Sequence, residues 1–460
     1  MNIHVAVVGA YGSAGVAAAE RLRAEKGVEL TLIDDGEPGG LCILRGCMPS
    51  KEVLSAGAHR FGVTHDHRLE GDPTVDLETV VETKDEHVQA FAEHRGAAVE
   101  ALAEESGVRL LEGQASFADE ETLVVDGERI PADYIVIATG STVNVPATPG
   151  IETVEYMTSR ELLDATSLPA TGIVMGFGAV GMEMAPYLTE ACGMELTVIE
   201  HDERPLDRAD AAFGDALLEI YREQFGIDIR TNVYEESLEQ TDDGVALTLT
   251  DGSTIVADQL FCFTGRRPQL DGLALENAGM DSSRGWVDAT MQAQDNEAVF
   301  VVGDANGKEP ILHVAKEQAH QAAENILGLE RGEAPQPYTN VHHEMVFSGL
   351  GTYPFARVGH TADSAREAGL EPVVATRAAA DDGVFKTKDA PAGLARLVAA
   401  PDGTVLGYQG LHYHADVMAK SMQMAVEMEL DARDIPDRAY HPTTPEILDG
   451  LLRSVTDQLT

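Results

Sequence analysis

Two closely spaced cysteines are the first residues whose types suggest chemistry. Cys42 and Cys47 lie five residues apart in the segment GGLCILRGCMPSK, just before a helical pattern. Thiols at that spacing can form a disulfide within one turn, and Pro49 suits the first turn of the helix that follows. The N-terminus of that helix would stabilise a thiolate at Cys47. The segment predicts thiol–disulfide exchange. Zinc binding and an inert buried pair are the alternatives, although no other Cys or His pair has zinc-ligand spacing.

Length and cysteine content limit the class of protein. At about 150 residues per domain, 460 residues suggest about three domains. Four cysteines in that length do not make the disulfide framework of a small secreted protein. The first residues, MNIHVAVVGAYGSAG, lack a signal-type basic region and apolar stretch, and no apolar run reaches about 18 residues. These features predict a cytoplasmic protein with no membrane-spanning segment.

The charge balance is strongly acidic. There are 78 acidic and 32 basic residues, which gives a net charge of −46. Nucleic acids and anionic membranes need positive patches, so this balance argues against both as partners. Only 8 of the basic residues are Lys, against 24 Arg. An acidic, Lys-poor surface is typical of a protein in molar salt, where a Debye length of about 3 Å screens self-repulsion. We predict a saline cytoplasm; a solubilising acidic surface in an ordinary cell is the alternative.

The N-terminal elements predict a nucleotide-binding unit. An apolar β-branched run leads into a Gly-rich turn, an Ala-rich helical pattern and a second apolar run that ends at Asp34. Gly9 and Ala14 fit the first and third positions of G-x-G-x-x-G/A, but Tyr11 occupies the second. Gly12 lies one residue later and would let the backbone approach a pyrophosphate. Asp34 is placed to accept hydrogen bonds from a ribose.

A second unit of the same kind follows. Gly176, Gly178 and Gly181 match the fingerprint fully, and Glu200 ends the next apolar run. The alternative is that these glycines only form a tight turn. Strand, turn, helix and acidic residue occur in the expected order, which favours a second dinucleotide site.

Five ordered segments together resemble one known family. They correspond to a redox motif GGxCxxxGCxPSK, an ATGS turn, a GRRP turn, a GD motif and a C-terminal HPxxxE motif, at residues 39–51, 137–141, 264–268, 302–304 and 441–446. Over nearly its whole length, the chain resembles the FAD-dependent pyridine nucleotide–disulfide oxidoreductases.

The resemblance implies an architecture. We expect an α/β fold with two Rossmann-like nucleotide-binding domains, one for FAD and one for NAD(P), and a C-terminal α+β dimerisation domain. The expected FAD domain is 1–145 with 265–335, the NAD(P) domain is 146–264, and the interface domain is 336–460. A homodimer whose active site is shared between subunits is expected from the resemblance alone.

The resemblance also implies which residues bind the cofactors. These are Gly9, Gly12, Ala14, Asp34, Gly40, Thr139, Gly140, Gly303, Asp304, Gly176, Gly178, Gly181, Glu200, Arg204 and Gly265.

The resemblance assigns roles to four catalytic residues. Cys47 would exchange electrons with the flavin, and Cys42 would attack the substrate disulfide. His441, held by Glu446, would be the acid–base and would act in the other subunit. These roles are chemically consistent, because the attacking thiol must lose a proton and the leaving thiol must gain one. Histidine has a pKa suited to both tasks.

Further residues follow from the same motifs. Lys51 and Glu183 match an ion pair beside flavin N5. Arg45 replaces a residue that is usually apolar, and it could depress a thiol pKa or attract an anionic substrate. A solvated side chain is the alternative for Arg45. His59 and Arg60 could bind substrate carboxylates.

The motifs narrow the substrate class. Mercuric reductases carry a vicinal Cys pair near the C-terminus, whereas this chain has no Cys after Cys262. The HPTTPE segment is nearer to mycothione reductase than to dihydrolipoamide dehydrogenase. In salt-loving archaea the corresponding thiol is γ-glutamylcysteine, so the leading prediction is a reductase of bis-γ-glutamylcystine, like the haloarchaeal enzyme. Dihydrolipoamide dehydrogenase is the alternative, and a flavin-bound protein without turnover is the alternative from another class.

The nicotinamide cofactor is predicted from two opposing signals. Glu200 favours NADH, because a carboxylate accepts from the ribose 2′-hydroxyl and repels a 2′-phosphate. The resemblance to reductases of low-molecular-weight disulfides favours NADPH, because most of those enzymes use it. Arg204 and His201 could hold a 2′-phosphate if Glu200 turned aside. We predict NADPH, with NADH as the alternative.

Overall fold

The computed structural model describes residues 2–283, 285–438 and 440–459. Its strands are β1 (Ile3–Val8), β2 (Val28–Asp34), β3 (Val108–Glu112), β4 (Ala115–Asp119), β5 (Thr122–Val125), β6 (Glu128–Pro131), β7 (Tyr134–Ile137), β8 (Ser141–Val143), β9 (Tyr156–Met157), β10 (Thr171–Met175), β11 (Glu195–Ile199), β12 (Asp228–Arg230), β13 (Glu235–Thr241), β14 (Gly244–Leu249), β15 (Thr254–Ala257), β16 (Gln259–Cys262), β17 (Arg266–Pro268), β18 (Gln292–Ala293), β19 (Asn296–Val301), β20 (His343–Val346), β21 (Phe355–Gly359), β22 (Val373–Ala378), β23 (Leu394–Ala399) and β24 (Val405–Leu411). Its α-helices are α1 (Ser13–Arg23), α2 (Gly40–Leu44), α3 (Cys47–Thr64), α4 (Leu77–Ala103), α5 (Ser159–Leu163), α6 (Ala179–Glu190), α7 (Ala211–Gln224), α8 (Leu312–Glu330), α9 (Ala362–Glu367), α10 (Gly383–Thr387), α11 (Ala415–Glu427) and α12 (Glu446–Leu459).

The first of two compact units consists of Met1–Lys51, Glu82–Asn144 and Arg266–Asn340. Its main sheet has the order β18-β19-β7-β1-β2-β3, and the pairs from β19 to β3 are parallel. The central strands β1 and β7 are mostly apolar and buried, as expected when both faces of a parallel sheet are covered. Alanines of α1 and α8 share one core, because small side chains let two helices approach closely.

The second unit consists of Glu52–Val81, Val145–Gly265 and Val341–Thr460. A parallel sheet has the order β12-β11-β10-β16-β9, and an antiparallel sheet has the order β20-β21-β24-β23-β22. The helix α12 packs its apolar face on the antiparallel sheet through Ile447, Leu451 and Val455. The predicted α/β class is therefore confirmed.

The predicted runs that end at Asp34 and Glu200 form parallel strands. Asp251–Gly252 joins two antiparallel strands, β14 and β15. On α11 and its C-cap, Met418 and Met422 are buried, whereas Met424 and Met428 are 51% and 64% exposed. None of the described helices is long and apolar enough to cross a membrane.

One segment does not group with its neighbours in the chain. Residues 52–81 fall in the second unit, although the predicted FAD domain runs unbroken over 1–145. The reason is packing: Val53, Leu54 and Phe61 are buried in a core of that unit, and Phe61 stacks on Phe225 with ring centroids 4.8 Å apart. The three-domain boundaries themselves stay a prediction.

Candidate active site

The two cysteines lie on two short, consecutive helices. Cys42 is in the middle of α2, and Cys47 is the first residue of α3. Gly40 has φ +64°, and a Cβ there would lie 2.8 Å from the Cα of Gly12. Only a glycine allows this backbone approach, so the redox segment passes directly against the first Gly-rich turn. Both cysteines are in the thiol form; Cys42 is half-buried and Cys47 is exposed.

The thiols interact with each other and with a cation from another element. The Cys42 thiol donates a hydrogen bond to Cys47, which raises the pKa of Cys42, and burial raises it further. The positive charge of Arg95, on α4, acts in the opposite direction and lowers it. Arg95 belongs to no motif, and sequence reasoning missed it.

The first Gly turn differs from its predicted alignment. Gly9 has φ +92°, and Gly12 is the N-cap of α1. A Cβ at Gly15 would lie 2.1 Å from the carbonyl oxygen of Gly9, so Gly15 is the third glycine of the turn. The assignment of Ala14 to that position is wrong, because the turn contains one extra residue and the helix starts one residue later than the fingerprint implies. Ala14 instead packs in the core of the unit.

The extra residue, Tyr11, is held by both of its backbone groups. Its N–H donates to Asp34 Oδ2 at 2.8 Å, and its carbonyl accepts from Arg95 at 3.2 Å. Asp34 also accepts from the N–H of Gly36 at 2.9 Å. Burial raises the pKa of Asp34 despite these hydrogen bonds. A carboxylate has about four acceptor sites, so both oxygens can still accept from ribose hydroxyls.

The remaining residues of the first unit fit the predicted FAD. Thr139 Oγ1 is buried and has no hydrogen-bond partner among the described residues, as a group that awaits a ligand would be. Asp304 accepts from Ser141 Oγ at 2.6 Å, and Gly303 donates its N–H to Gln318 at 2.9 Å. Gly140 has φ +73° and open space where a Cβ would be, which leaves room for a ligand. These residues, with the Gly turn, would hold the ribose, diphosphate and ribityl groups of FAD.

The second Gly turn follows the standard spacing. Gly176 has φ +95°, and Gly178 is the N-cap of α6. A Cβ at Gly181 would lie 2.3 Å from the carbonyl oxygen of Gly176. Glu200 accepts from the N–H of Phe177 at 2.8 Å and from that of Asp202 at 3.0 Å. Glu200 is therefore held against the turn rather than turned aside.

An open cleft lies beside this turn. Its lining includes Gly178 and Ala179 at the N-terminus of α6, together with Glu200, Arg204 and Glu344. The Arg204 guanidinium pairs with Asp215 at 2.6 Å and with Glu203 at 3.0 Å. His201 pairs with Glu235. Both residues predicted as 2′-phosphate ligands thus already pair with carboxylates. Gly265, the last predicted cofactor residue, has φ +90° and open space at its Cβ position.

The predicted acid–base pair is in contact. His441 Nδ1 lies 3.0 and 3.1 Å from the two oxygens of Glu446, and the N–H of Thr443 donates to Glu446 at 2.9 Å. The hydrogen bond with His441 lowers the pKa of Glu446. The His441 side chain is 79% exposed, so its second ring nitrogen is available to another molecule.

Lys51 and Glu183 each have a polar contact within their own unit. Lys51 Nζ lies 3.5 Å from Ser50 Oγ, and Glu183 accepts from the N–H of Phe347 at 3.1 Å. The pairing of Lys51 with Glu183 stays a prediction.

The three predicted substrate residues differ in their availability. Arg45 is exposed and has no ion-pair partner in the described parts of the chain, and His59 is also exposed. Arg60 donates to Glu190 at 2.8 Å, to Asp72 at 2.9 Å and to the Pro73 carbonyl at 3.1 Å. With all of these donors engaged, Arg60 is poorly placed to bind a substrate carboxylate.

Comparison with known families gives two matches that follow each other along the chain. Residues 3–324 match the family described as pyridine nucleotide-disulphide oxidoreductase, and residues 347–451 match the dimerisation domain of the same family.

Curated relatives cover most of the chain. A dihydrolipoyl dehydrogenase of Haloarcula marismortui is 31% identical over 95% of this chain and 93% of its own length. A dihydrolipoyl dehydrogenase of Halobacterium salinarum is 30% identical over 96% and 94%. A mercuric reductase of Staphylococcus aureus is 31% identical over 70% of this chain and 59% of its own length.

Solved structures share the fold at low identity. LpdA from Mycobacterium tuberculosis has a TM-score of 0.85 at 22% identity, covering 98% of this chain and 99% of that one. The HOCl-induced flavoprotein disulfide reductase RclA from Escherichia coli has a TM-score of 0.82 at 24% identity, with the same coverage.

Proposed function

Since the chain belongs to the FAD-dependent pyridine nucleotide-disulphide oxidoreductases, and so is an NAD(P)H-dependent disulfide oxidoreductase, we propose that it reduces a small disulfide through Cys42 and Cys47. The observation that carries this proposal is the Cys42–Cys47 hydrogen bond at the start of α3, directly against the Gly turn predicted to bind the flavin diphosphate. The residues of the first unit would hold FAD, and its chemistry when bound would be two-electron transfer between the nicotinamide and the cysteine pair.

The chain's own thiols then reduce the substrate in two exchange steps. Cys42, as thiolate, attacks one sulfur of R–S–S–R, forms a mixed disulfide and displaces R–S⁻, which takes a proton. Cys47, as thiolate, attacks the Cys42 sulfur, forms the Cys42–Cys47 disulfide and displaces the second R–S⁻, which also takes a proton. The order of attack is the one that the family resemblance implies. In the resting pair, the Cys42 thiol donates its proton to Cys47. Attack therefore requires a base that removes the proton from Cys42.

His441 is the proposed base and acid. Glu446 is ionised at neutral pH, since its pKa is lowered, and it holds Nδ1–H of the imidazole. That tautomer leaves Nε2 free to take the Cys42 proton and to return it to the leaving thiolate. The high exposure of His441 supports the expectation that it serves a second copy of this chain in a homodimer.

Bis-γ-glutamylcystine is the substrate that we propose. Its carboxylates would be repelled by a chain of net charge −46 unless a local cation offset the field. Arg45 lies between the two cysteines, is exposed and has no carboxylate partner in the described structure, so it can fill that role. Arg60 is left out because its donors are engaged. Dihydrolipoamide is the second candidate, since haloarchaeal dihydrolipoyl dehydrogenases match the chain over nearly its whole length.

For the nicotinamide, the contacts support NADH over the predicted NADPH. The NADPH prediction required Glu200 to turn aside, and two backbone N–H groups hold Glu200 in place. A 2′-phosphate would face that carboxylate, while Arg204 would have to leave Asp215 and Glu203 to neutralise it. A 2′-hydroxyl can donate directly to Glu200.

The test is a steady-state comparison of bis-γ-glutamylcystine, lipoamide and glutathione disulfide, each with NADH and NADPH, in molar salt. We expect the highest kcat/KM for bis-γ-glutamylcystine with NADH. Cys42→Ser should abolish disulfide reduction and keep FAD bound, whereas the control Cys192→Ser should keep full turnover, because Cys192 is a half-buried thiol outside the redox segment. Bound FAD with no reduction of any disulfide would instead indicate a flavin-binding protein without turnover.

A further inference from the structure

Glu344 is an acidic residue with an unusual position in the nicotinamide cleft. It lies on β20 and lines the cleft together with Gly178 and Ala179. Its Oε2 atom is enclosed by protein and has no hydrogen-bond partner among the described residues. An ionised carboxylate with a buried oxygen that lacks a partner is costly, so these surroundings favour the neutral carboxyl group.

Charged groups surround the Glu344 carboxyl. Arg357 is its cross-strand partner on β21, and that guanidinium also donates to the carbonyls of Arg208 and Gly359. Burial raises the pKa of Glu344; Arg357, His342 and Arg208 lower it, and Asp207 raises it.

The other acids that line the cleft are Glu200, Asp202 and Asp207, and its only lining cation among the described residues is Arg204. An ionised Glu344 would add one more negative charge to this acidic cleft.

The same cleft has the geometry of a diphosphate site. The N-terminus of α6, a helix of 12 residues, opens onto it through Gly178 and Ala179. Backbone N–H groups and the helix dipole attract phosphate oxygens to such a position. A carboxylate at Glu344 would repel the diphosphate, whereas a neutral carboxyl group can donate a hydrogen bond to it.

We propose that Glu344 binds the nicotinamide dinucleotide as a neutral acid, so that binding takes up a proton at this residue. The inference rests on the proposed function, because it assumes that the dinucleotide occupies the cleft beside the second Gly turn. The protonated Glu344 donates to an oxygen of the diphosphate, and bulk water supplies the proton.

The sign of the pH dependence follows from linkage. The bound diphosphate favours the neutral form of Glu344, so binding raises the pKa of this residue above its value in the free enzyme. The affinity for the dinucleotide is therefore highest below the pKa that Glu344 has in the free enzyme. It falls as the pH rises from that pKa to the higher pKa that Glu344 has in the complex. We expect a decrease of roughly tenfold across that window, a typical size for coupling between two binding events.

The experiment is calorimetric titration of the FAD-loaded enzyme with NAD⁺ and with NADP⁺ at one fixed molar salt concentration. Oxidised dinucleotides are the probes because they leave the flavin redox state unchanged. Each titration is run in two buffers of different ionisation enthalpy, and the difference in apparent enthalpy gives the number of protons taken up. We expect uptake of a fraction of one proton by the wild type, with affinity falling as pH rises.

Two variants identify the residue that takes the proton. Glu344→Gln keeps a donor of similar shape and has no charge, so we expect no proton uptake at this position and tight, pH-independent binding. Glu239→Gln is the matched control, because Glu239 is an exposed glutamate of the same unit and lies outside the cleft. It should behave as the wild type.

Two results would overturn the inference. One is binding by the wild type without proton uptake, which is decisive even where the Gln variant fails to fold. The other is proton uptake in Glu344→Gln equal to that of the wild type. Failure of the proposed function is distinguishable: there, neither NADH nor NADPH reduces the flavin. Normal flavin reduction with pH-independent dinucleotide binding contradicts only the role of Glu344.

Discussion

The two Gly-rich turns close in the same way and differ by one residue. In each turn, a carboxylate at the end of the next strand accepts two backbone hydrogen bonds. One comes from an N–H in the turn, and the other comes from the N–H two residues after the carboxylate itself. In each, the third glycine packs against the carbonyl oxygen of the first. The glycines are Gly9, Gly12 and Gly15 in the first turn and Gly176, Gly178 and Gly181 in the second.

The extra residue changes what surrounds the turn. In the first turn, both backbone groups of Tyr11 are bound, one by Asp34 and one by Arg95, and Gly40 packs against Gly12. The second turn faces an open cleft instead. A closed turn suits a cofactor that stays bound through many cycles, and an open one suits a dinucleotide that must leave after each hydride transfer. This difference supports the proposal that the first turn holds a resident cofactor and the second an exchanging one.

The largest expected effect comes from adding a Cβ to the third glycine of either turn. Gly15→Ala places a methyl group 2.1 Å from a carbonyl oxygen, so we expect loss of FAD and roughly 1–3 kcal/mol or more of stability. Gly181→Ala, at 2.3 Å, should keep FAD and lose flavin reduction by the nicotinamide. The flavin absorbance of the purified protein and stopped-flow reduction measure the two outcomes. If both variants lost FAD equally, the two turns would not serve separate cofactors.

A smaller effect is expected when each carboxylate becomes an amide. Glu200→Gln should lower the preference for NADH over NADPH by roughly tenfold, which corresponds to about 1.4 kcal/mol, with FAD content unchanged. Asp34→Asn should weaken FAD retention and leave the nicotinamide preference as it is. The ratio of kcat/KM values for NADH and NADPH tests Glu200→Gln. The FAD content that remains after dialysis against buffer tests Asp34→Asn. An unchanged ratio in Glu200→Gln would contradict the NADH proposal.

Arg95 tests whether the extra residue connects the flavin turn to the thiols. Arg95 lowers the pKa of Cys42, so Arg95→Gln should raise it and slow alkylation of the reduced enzyme at Cys42 by roughly threefold at pH 8. Arg95→Lys keeps the charge and should recover most of the rate. Arg109→Gln is the control, since Arg109 pairs with Glu128 on the surface. Mass spectrometry of iodoacetamide-treated protein reports the modified cysteine. Equal rates of Cys42 alkylation in all variants would show that Arg95 does not lower the pKa of this thiol.

The smallest effect is expected for Tyr11→Phe. The hydroxyl of Tyr11 makes no hydrogen bond within the described residues, whereas the backbone N–H and carbonyl make the contacts that close the turn. We expect FAD content to be unchanged and stability to stay within about 0.5 kcal/mol of the wild type. A thermal melt with parallel flavin fluorescence provides the measurement. A large loss of FAD or of stability would mean that the Tyr11 side chain, rather than the inserted backbone, shapes the turn.

The positions of most candidate residues were predictable because they belong to local patterns. Cys42 and Cys47 are five residues apart, and Asp34 and Glu200 each end an apolar run that follows a Gly turn. Gly15 was missed because the turn was aligned to the six-residue fingerprint. The equal spacing of Gly9, Gly12 and Gly15 was a signal that could have revealed the longer turn.

Other residues carried no signal in the sequence. Arg95 and Glu344 are single charged residues on a helix and a strand, among many others in a chain with 78 acidic residues. Arg60 was predicted to bind substrate because it lies further along the helix that begins at Cys47, but its partners Asp72 and Glu190 lie 12 and 130 residues away along the chain. No local pattern shows that such carboxylates will occupy its guanidinium.

The sequence by itself determined the elements whose chemistry is local: the cysteine spacing, the glycines that need positive φ, and the strands whose apolar runs must be buried. Those features depend on backbone sterics and side-chain periodicity within a few residues. Only the tertiary structure decided which charges meet. It places Arg95 against Tyr11, holds Glu200 against the second turn and leaves an oxygen of Glu344 without a partner among the residues that the structure describes. Electrostatic contacts depend on distance in space and on burial, and both are set by packing between residues far apart in the chain.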